Sequence, residues 1–239
     1  MMSKKSLGLA VAAIAGVAAA LPSSAQQRPM ASAPSWYFGA GLGASYASYD
    51  SGFGDVANQL NQAGIGGGGL SQSTSRETSD FSWKVFGGYR FNPYFGVEGS
   101  YVNLGSLDYQ YSFTQNGVQT GNAQMSYKVE SWNLAVVPRY PFANGAFVQG
   151  KVGAAFTNTQ NAFNLNVPGF SQQASPSDWR TNLLLGAGVG YDFSNGLSII
   201  GEYEYFGKVG DNFSVNSSGL QGTGRADMSL FSVSGMIRF

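Results

Sequence analysis

Glu202 and Glu204 are the pair of titratable side chains whose spacing most suggests chemistry. On a strand, residues two apart share a face, and a carboxylate pair can exchange protons with a substrate. The chain contains no His and no Cys, which excludes a histidine base, a thiolate nucleophile and a disulfide. Structural charges on one strand face explain the two glutamates more simply. We therefore expect no enzymatic activity, no catalytic residue, no metal and no cofactor.

Glycine-rich stretches are the second feature that could indicate a ligand site. Glycine recurs at every second residue over 39–43 and 186–190, and a run covers 64–69. A dinucleotide fingerprint needs a different spacing and a following helix, and a phosphate loop needs a Lys-Ser/Thr pair. The alternating glycines are better explained as interior positions that make room for long charged neighbours and relax strand curvature. We expect the run at 64–69 to lie in a surface loop.

The composition indicates an unusual environment for the folded chain. Charged residues are 11% of the 239 residues, aromatic residues are 14%, and Gly occurs 34 times. A soluble domain carries about 25% charged residues. The many aromatic side chains argue against a disordered chain.

The N-terminus has the pattern of a secretory signal over residues 1–25. Lys4 and Lys5 precede an apolar run at 7–21, and small residues at 23–25 offer a cleavage site. A membrane anchor is the alternative, although the run is short for a spanning helix. Without the two lysines, eleven of the thirteen basic residues remain against thirteen acidic residues, a net charge of −2. This balance argues against a nucleic-acid partner.

After a short linker at 26–35, the sequence alternates with a period of two, as strands do. We predict one barrel domain over residues 36–239. Each predicted strand is at least as long as the roughly 9–11 residues that a tilted strand needs to cross a bilayer. The eight predicted strands are Trp36–Tyr49, Phe81–Phe91, Phe95–Leu107, Met125–Tyr140, Ala146–Gln160, Trp179–Phe193, Leu197–Gly207 and Ala226–Phe239.

The connections between these strands alternate between short and long. The short ones are 92–94, 141–145 and 194–196, and the long polar ones are 50–80, 108–124, 161–178 and 208–225. Short turns at one end and long loops at the other are typical of outer-membrane barrels. We therefore predict an all-β fold, an eight-stranded antiparallel transmembrane up-and-down barrel. Its short turns face the periplasm and its long loops face outwards.

The two faces of the predicted strands differ in character. One is apolar with aromatic residues near the strand ends, which favours contact with lipid. The other face carries charges, and these would then enter a lumen that side chains can just fill. Buried charges must pair, so we predict a salt-bridged, largely plugged lumen. For Arg90 and Arg238 at the rims, pairing and simple solvation both remain open. The predicted lumen charge network is Lys84, Arg90, Glu98, Arg139, Lys151, Asp192, Glu202, Glu204 and Arg238.

Several blocks resemble a known family. The segment 36–43 is similar to the first strand of the OmpA transmembrane domain, and 86–98 is similar to its second strand, first turn and third strand. Tyr140-Pro141 and Glu202-Tyr203 fit the same pattern. The resemblance covers nearly the whole chain after the signal. It implies that Glu98 joins a salt-bridge network that closes the pore and that Lys151 is a basic interior residue.

The resemblance also bears on the end of the chain. Full-length family members carry a peptidoglycan-binding domain after the barrel, whereas the strand pattern here runs to Phe239. We therefore expect a plan closer to small barrels such as OmpX. The alternating residues Phe231, Val233, Ile237 and Phe239 resemble the signal that the barrel-assembly machinery reads.

These features predict a non-enzymatic protein of a Gram-negative outer membrane that serves envelope integrity and surface interaction or adhesion. Its expected partners are lipid, lipopolysaccharide, the assembly machinery and a host or environmental ligand at the loops. The alternative is a narrow porin-like channel for ions or small solutes.

Overall fold

Strands make up nearly all of the chain that the computed structural model describes. The described residues are 34–49, 61–62, 64, 69, 71–76, 78–167, 170–174, 177–210, 212–215, 220–223 and 225–239. The predicted signal peptide and most of the predicted linker lie outside them. Within these ranges, no helix is long and apolar enough to cross a membrane. The strands are β1 Ser35–Tyr49, β2 Ser71–Arg76, β3 Ser79–Asn92, β4 Phe95–Gln115, β5 Val118–Pro141, β6 Ala146–Val167, β7 Phe170–Ala174, β8 Ser177–Asp192, β9 Leu197–Val209, β10 Asn212–Val215, β11 Leu220–Thr223 and β12 Ala226–Arg238.

Eight of the described strands close into an antiparallel ring. Its order is β1, β3, β4, β5, β6, β8, β9, β12 and back to β1. Closure occurs at β1, where Tyr37 is in register with Gly88 on β3 and with Arg238 on β12. A closed ring leaves no strand edge unpaired, which a structure inside a bilayer requires. The predicted eight-stranded barrel is confirmed.

The side chains alternate between the two sides of this ring as predicted. On β12, Val233 and Ile237 are exposed, whereas Ser232, Ser234 and Met236 are buried. The exposed face forms a band of aliphatic side chains with aromatic side chains towards its ends, the distribution of a lipid-facing barrel surface. Exposed aromatic residues are Trp36, Phe38, Phe81, Trp83, Phe91, Tyr94, Phe95, Trp132, Tyr140, Phe142, Phe156, Trp179, Phe193, Tyr203 and Phe239.

Three tight turns join strands at one end of the barrel, which we call the turn end (residues 92–95, 141–146 and 192–197). In the first turn, Asn92 Oδ1 accepts hydrogen bonds from the backbone N–H groups of Tyr94 and Phe95 at 2.8 and 2.9 Å. In the third turn, Gly196 has φ +84°, a conformation that glycine adopts at little cost. The predicted short turns are confirmed.

The opposite end, which we call the loop end, differs from the prediction. The predicted loop 108–124 is wrong, because β4 continues to Gln115 and β5 begins at Val118. The turn between them contains Asn116 and Gly117, with φ +52° and +80°, the positive values of a type I′ hairpin turn. On β4 the alternation continues as far as Phe113, which is buried, whereas residues 118–124 of β5 lack it. The backbone ladder nevertheless continues.

The other three long connections also contain strand where loop was predicted. β2 pairs with β4 and β7 pairs with β6, so both extend the barrel wall beyond the ring. β10 and β11 form a separate hairpin. Their backbones pair with neighbouring strands although their polar sequences lack the alternation that predicts a half-buried strand.

Candidate functional site: the charged lumen

The middle of the lumen holds five charged side chains, which we call the central ion cluster: Lys84, Glu98, Lys151, Glu202 and Glu204. They come from β3, β4, β6 and β9, and each stands at an inward position of its strand. None is more than 4% exposed. Sequence alternation predicted their direction, and ring closure brings them together.

Both lysines of the cluster contact more than one carboxylate. Lys84 Nζ lies 2.5 Å from Glu202 Oε2 and 2.6 Å from Glu204 Oε2. Lys151 Nζ lies 2.6 Å from Glu98 Oε1, 2.7 Å from Glu202 Oε2 and 3.0 Å from Glu204 Oε1. Such charge-assisted contacts are the strong class of hydrogen bond, and they offset the cost of burying the charges.

Two neutral side chains complete the hydrogen bonding of the cluster. Gln149 Nε2 donates to Glu202 Oε1 at 3.1 Å, and Tyr37 Oη donates to Glu98 Oε2 at 3.1 Å. Neither residue was among the predicted site residues. Their inward position on β6 and β1 was readable from the alternation, but their partners lie on distant strands and become visible only in the folded barrel.

An apolar layer lies beside the ion cluster, and Tyr37 belongs to both. Its members are Tyr37, Phe86, Phe147, Ile200 and Met236. The ring of Phe86 is 5.6 Å from Lys84 Nζ and 5.5 Å from Lys151 Nζ, so one aromatic ring faces both ammonium groups. The layer therefore adds cation–π contacts to the ion pairs.

The interior glycines serve this apolar layer as well as the charges. A Cβ on Gly39 would collide with the ring of Phe86, and a Cβ on Gly190 would collide with the ring of Phe147. Only at Gly188, beside Glu202, and Gly186, beside Lys151, are charged side chains the neighbours. The expectation that these glycines make room for charged neighbours is thus correct for 186 and 188. At 39 and 190 aromatic rings take the space.

A second charged group lies towards the turn end, and we call it the arginine cluster: Arg90, Arg139, Asp192 and Arg238. Arg139 Nη2 donates to Asp192 Oδ2 at 2.7 Å, and Arg238 Nη1 lies 3.9 Å from the same oxygen. Arg238 is 21% exposed, whereas Arg90 is only 6% exposed. Arg90 stacks on Tyr37, with 5.4 Å between its guanidinium carbon and the ring centroid. Simple solvation, one of the two expectations for Arg90, does not fit this burial.

Towards the loop end many interior side chains are apolar, which the sequence reasoning missed, and the hydroxyl residues Ser45, Ser131, Thr157 and Thr159 are buried at interior positions as well. Leu184 faces inwards and is 1% exposed, whereas Leu183 and Leu185 beside it are exposed on the outer face. The parity of each strand contained the signal, since Glu98 facing inwards implies that Val102 and Leu104 on the same strand also face inwards. The buried residues on these interior positions include Val102, Leu104, Val129, Leu184, Phe206, Met228 and Leu230.

The nine predicted lumen charges thus fall into two groups, the central ion cluster and the arginine cluster. Of the predicted assembly signal, Val233 and Ile237 on β12 and Phe239 directly after it are exposed, and Phe231 is partly exposed. Among the residues that the structure describes, no group of three or more carboxylates could hold a metal ion.

Comparison with known proteins agrees with this geometry. A family model described as the OmpA-like transmembrane domain matches residues 31–239. Outer membrane protein A of Salmonella typhi is 30% identical over 242 residues, which cover 100% of this chain and 56% of that protein. Outer membrane protein A of Escherichia fergusonii is 27% identical, and the match covers 100% of this chain and 56% of that protein. The chain therefore spans about half the length of the curated relatives it matches.

Solved structures of small barrels also align with the chain. Ail of Yersinia pestis, in complex with the heparin analogue sucrose octasulfate, aligns with a TM-score of 0.46 and 16% identity, covering 87% of this chain and 99% of that one. Neisserial surface protein A aligns with a TM-score of 0.42 and 15% identity, covering 85% and 97%. On the family match, the chain belongs to the family of the OmpA-like transmembrane domain and is a protein of the Gram-negative outer membrane.

Proposed function

We propose that this protein is a non-enzymatic integral barrel whose lumen is largely plugged and whose loop end serves surface interaction. The observation that carries the proposal is the central ion cluster, whose five side chains are at most 4% exposed in mid-lumen. An eight-stranded barrel leaves room for little more than its own side chains. A cluster that joins several strands across this space therefore blocks passage and stabilises the wall.

The ion pairs resist opening because breaking them would leave buried charges without partners. Removal of one partner from a buried pair costs about 3–5 kcal/mol. Lys84 and Lys151 each contact both Glu202 and Glu204, so separation of the lysines from the glutamates breaks several contacts together. These contacts also occupy the carboxylates that sequence spacing suggested as an acid–base pair. A structural role for both glutamates follows.

The residues that face outwards from the barrel support the envelope role. The exposed apolar band supports contact with lipid and lipopolysaccharide around the barrel, which would anchor it in the membrane. Phe231, Val233, Ile237 and Phe239 stand on the outer side of β12, the strand that closes the ring against β1. We propose that the barrel-assembly machinery reads this strand while the ring is still open.

The extended β4–β5 hairpin supports the surface role. It continues past the ring to the turn at Asn116 and Gly117, and Val118 beside this turn is 65% exposed. By analogy with other outer-membrane barrels, the turn end faces the periplasm and the loop end faces outwards. A host or environmental ligand would meet this hairpin first.

Planar-bilayer conductance of the refolded protein tests the plugged lumen. We expect no steady unit conductance for the unsubstituted protein and more frequent openings for Glu98→Ala, because Lys151 then loses one of its three carboxylates. Glu130→Ala on the same barrel wall, where Glu130 pairs with the half-exposed Lys128, is the matched control and should leave the record unchanged. A steady channel that no lumen substitution alters would contradict the proposal.

A narrow channel is the second candidate, and one observation favours it. The buried hydroxyl oxygens of Ser82, Ser232 and Ser234 have no hydrogen-bond partner among the described residues. They lie in register with Gly41 and Gly43, which have no side chain of their own. Water would satisfy these hydroxyls. In that case Ser234→Val would lower a measurable conductance, whereas a plugged lumen would show none to lower.

A further inference from the structure

The arginine cluster at the turn end contains more positive charges than negative ones. We propose that it binds a phosphate-sized oxyanion that enters from the turn end. This inference does not depend on whether the lumen conducts, because the site lies between the central ion cluster and the mouth of the barrel. Its residues are Arg90, Arg139, Arg238 and Asp192, with Ser35 beside them.

The charge of the site is the first argument. Three guanidinium groups and the single carboxylate of Asp192 leave a side-chain charge of +2. Arg139 and Arg238 share one oxygen of that carboxylate, at 2.7 and 3.9 Å, and Ser198 Oγ donates to the other at 2.6 Å. Arg90 lies within electrostatic range of both other arginines. A dianion would neutralise the repulsion that remains.

Unpartnered donors are the second argument. Three atoms here are buried and have no hydrogen-bond partner among the described residues: Arg90 Nη1, Arg139 Nε and Ser35 Oγ. Arg90 and Arg139 are 6% and 7% exposed. Ser35 on β1 is in register with Arg90 on β3, and it shares the inward parity of Tyr37. A buried donor without a partner is unfavourable, so ligand oxygens have three donors to satisfy here.

Two aromatic rings of the apolar layer hold guanidinium groups of the arginine cluster in place. The guanidinium carbon of Arg139 lies 3.6 Å from the ring centroid of Phe147, and that of Arg90 lies 5.4 Å from the ring centroid of Tyr37. The close contact with Phe147 restrains the guanidinium of Arg139, and the cation–π contact with Tyr37 restrains the position of Arg90, so N–H edges of both groups are available to a ligand. A fixed planar fork is the geometry in which arginine binds phosphate with two parallel hydrogen bonds.

The site is open to the turn end on one side. Arg238 is 21% exposed and Asp192 is 23% exposed, whereas Arg90 and Arg139 lie deeper. An anion would therefore pass Arg238 and reach the two buried arginines. Water can satisfy the donors but does not neutralise the charge. Free phosphate and the phosphate of a lipid headgroup share the required chemistry.

Nuclear magnetic resonance of the arginine Nε–Hε groups tests the proposal. The full-length barrel is refolded in a non-ionic, phosphate-free detergent and titrated with inorganic phosphate or, separately, with dihexanoyl phosphatidic acid. We expect saturable shifts of the Arg90 and Arg139 signals. Arg90→Gln should weaken the apparent affinity about tenfold, the loss expected for a hydrogen bond to a charged group. Arg90→Lys keeps the positive charge but lacks the planar guanidinium. Its apparent affinity should lie between that of the unsubstituted protein and that of Arg90→Gln.

Arg180→Gln is the matched control, because it removes the same charge near the loop end, where Arg180 lies 3.0 Å from Asp178. This substitution should change the affinity for the phosphate ligand by no more than about twofold. Arg180 and the arginine cluster lie towards opposite ends of the barrel, and solvent-accessible charges that far apart are largely screened. Heat-modifiable gel migration verifies that each variant folds. Tighter binding of inorganic phosphate would assign a free anion, and tighter binding of phosphatidic acid would assign a lipid headgroup. No saturable shift in unsubstituted protein with either ligand, or equal weakening by Arg180→Gln, would overturn the proposal.

Discussion

Glu98 and Glu202 share one ammonium group although they stand on opposite sides of the barrel. Lys151 Nζ lies 2.6 Å from Glu98 Oε1 and 2.7 Å from Glu202 Oε2. Their strands, β4 and β9, are four positions apart in the ring of eight described strands, which is the largest separation the ring allows. One lysine therefore ties opposite walls together across the lumen.

Loss of that lysine should destabilise the barrel strongly. Lys151→Met leaves Glu98 buried without its cation, and we expect the free energy of unfolding to fall by about 3–5 kcal/mol. Urea unfolding in lipid vesicles, followed by tryptophan fluorescence, measures the change. Lys128→Met is the matched control, because Lys128 is half-exposed and pairs with Glu130 at 3.1 Å. Its effect should stay below about 1 kcal/mol. Equal midpoints for the two variants would contradict the structural role of the cluster.

The interior glycines should differ from outward ones in their tolerance of a methyl group. Gly39→Ala places a Cβ against the ring of Phe86, whereas Gly235→Ala meets no atom within 4 Å. We expect the first to lower stability by about 1–3 kcal/mol, as overpacking does. The second should be close to neutral. The two variants are compared by heating samples to a series of temperatures and recording the temperature at which the folded band disappears from the gel. A Gly39→Ala barrel as stable as the Gly235→Ala barrel would count against the packing described.

The extended hairpin should be dispensable for folding. Asp108 and Ser126 are in register, so residues 109–125 can be replaced by an Asn-Gly turn between them. We expect the shortened protein to keep its heat-modifiable migration, because the ion cluster and the apolar layer around Phe86 remain intact, although the buried Phe113 and the segment that pairs with β2 are lost. Failure of the shortened chain to refold would show that the hairpin contributes to the barrel itself.

Cysteine labelling tests the orientation proposed for the barrel. The chain has no Cys, so one introduced thiol is unique. In whole cells, Val118→Cys at the loop end should react with a membrane-impermeant maleimide. Ala143→Cys in the turn 141–146 should react only after the outer membrane is permeabilised. The reverse pattern would invert the assignment of the turn end to the periplasm.

The local sequence pattern is sufficient to predict the eight strands of the ring, their two faces and the three short turns. Alternation with a period of two sorts side chains between lipid and lumen, since neighbouring Cβ atoms on a strand point in opposite directions. It therefore placed Lys84, Glu98 and Glu202 inside before any contact was known. Residues 118–124 lack this alternation, so the hairpin that joins β4 to β5 was predicted as loop, although the alternation on β4 reaches the buried Phe113.

Which inward residues contact one another depends on how the strands close into the ring. Ring closure brings Lys84 to Glu202 across 118 positions of the chain, and it puts Tyr37 beside Glu98. Strand order and tilt set these distances, and no local pattern encodes them. The same closure separates the lumen charges into the central ion cluster and the arginine cluster, because the aromatic layer takes the space that Gly39 and Gly190 leave between the walls.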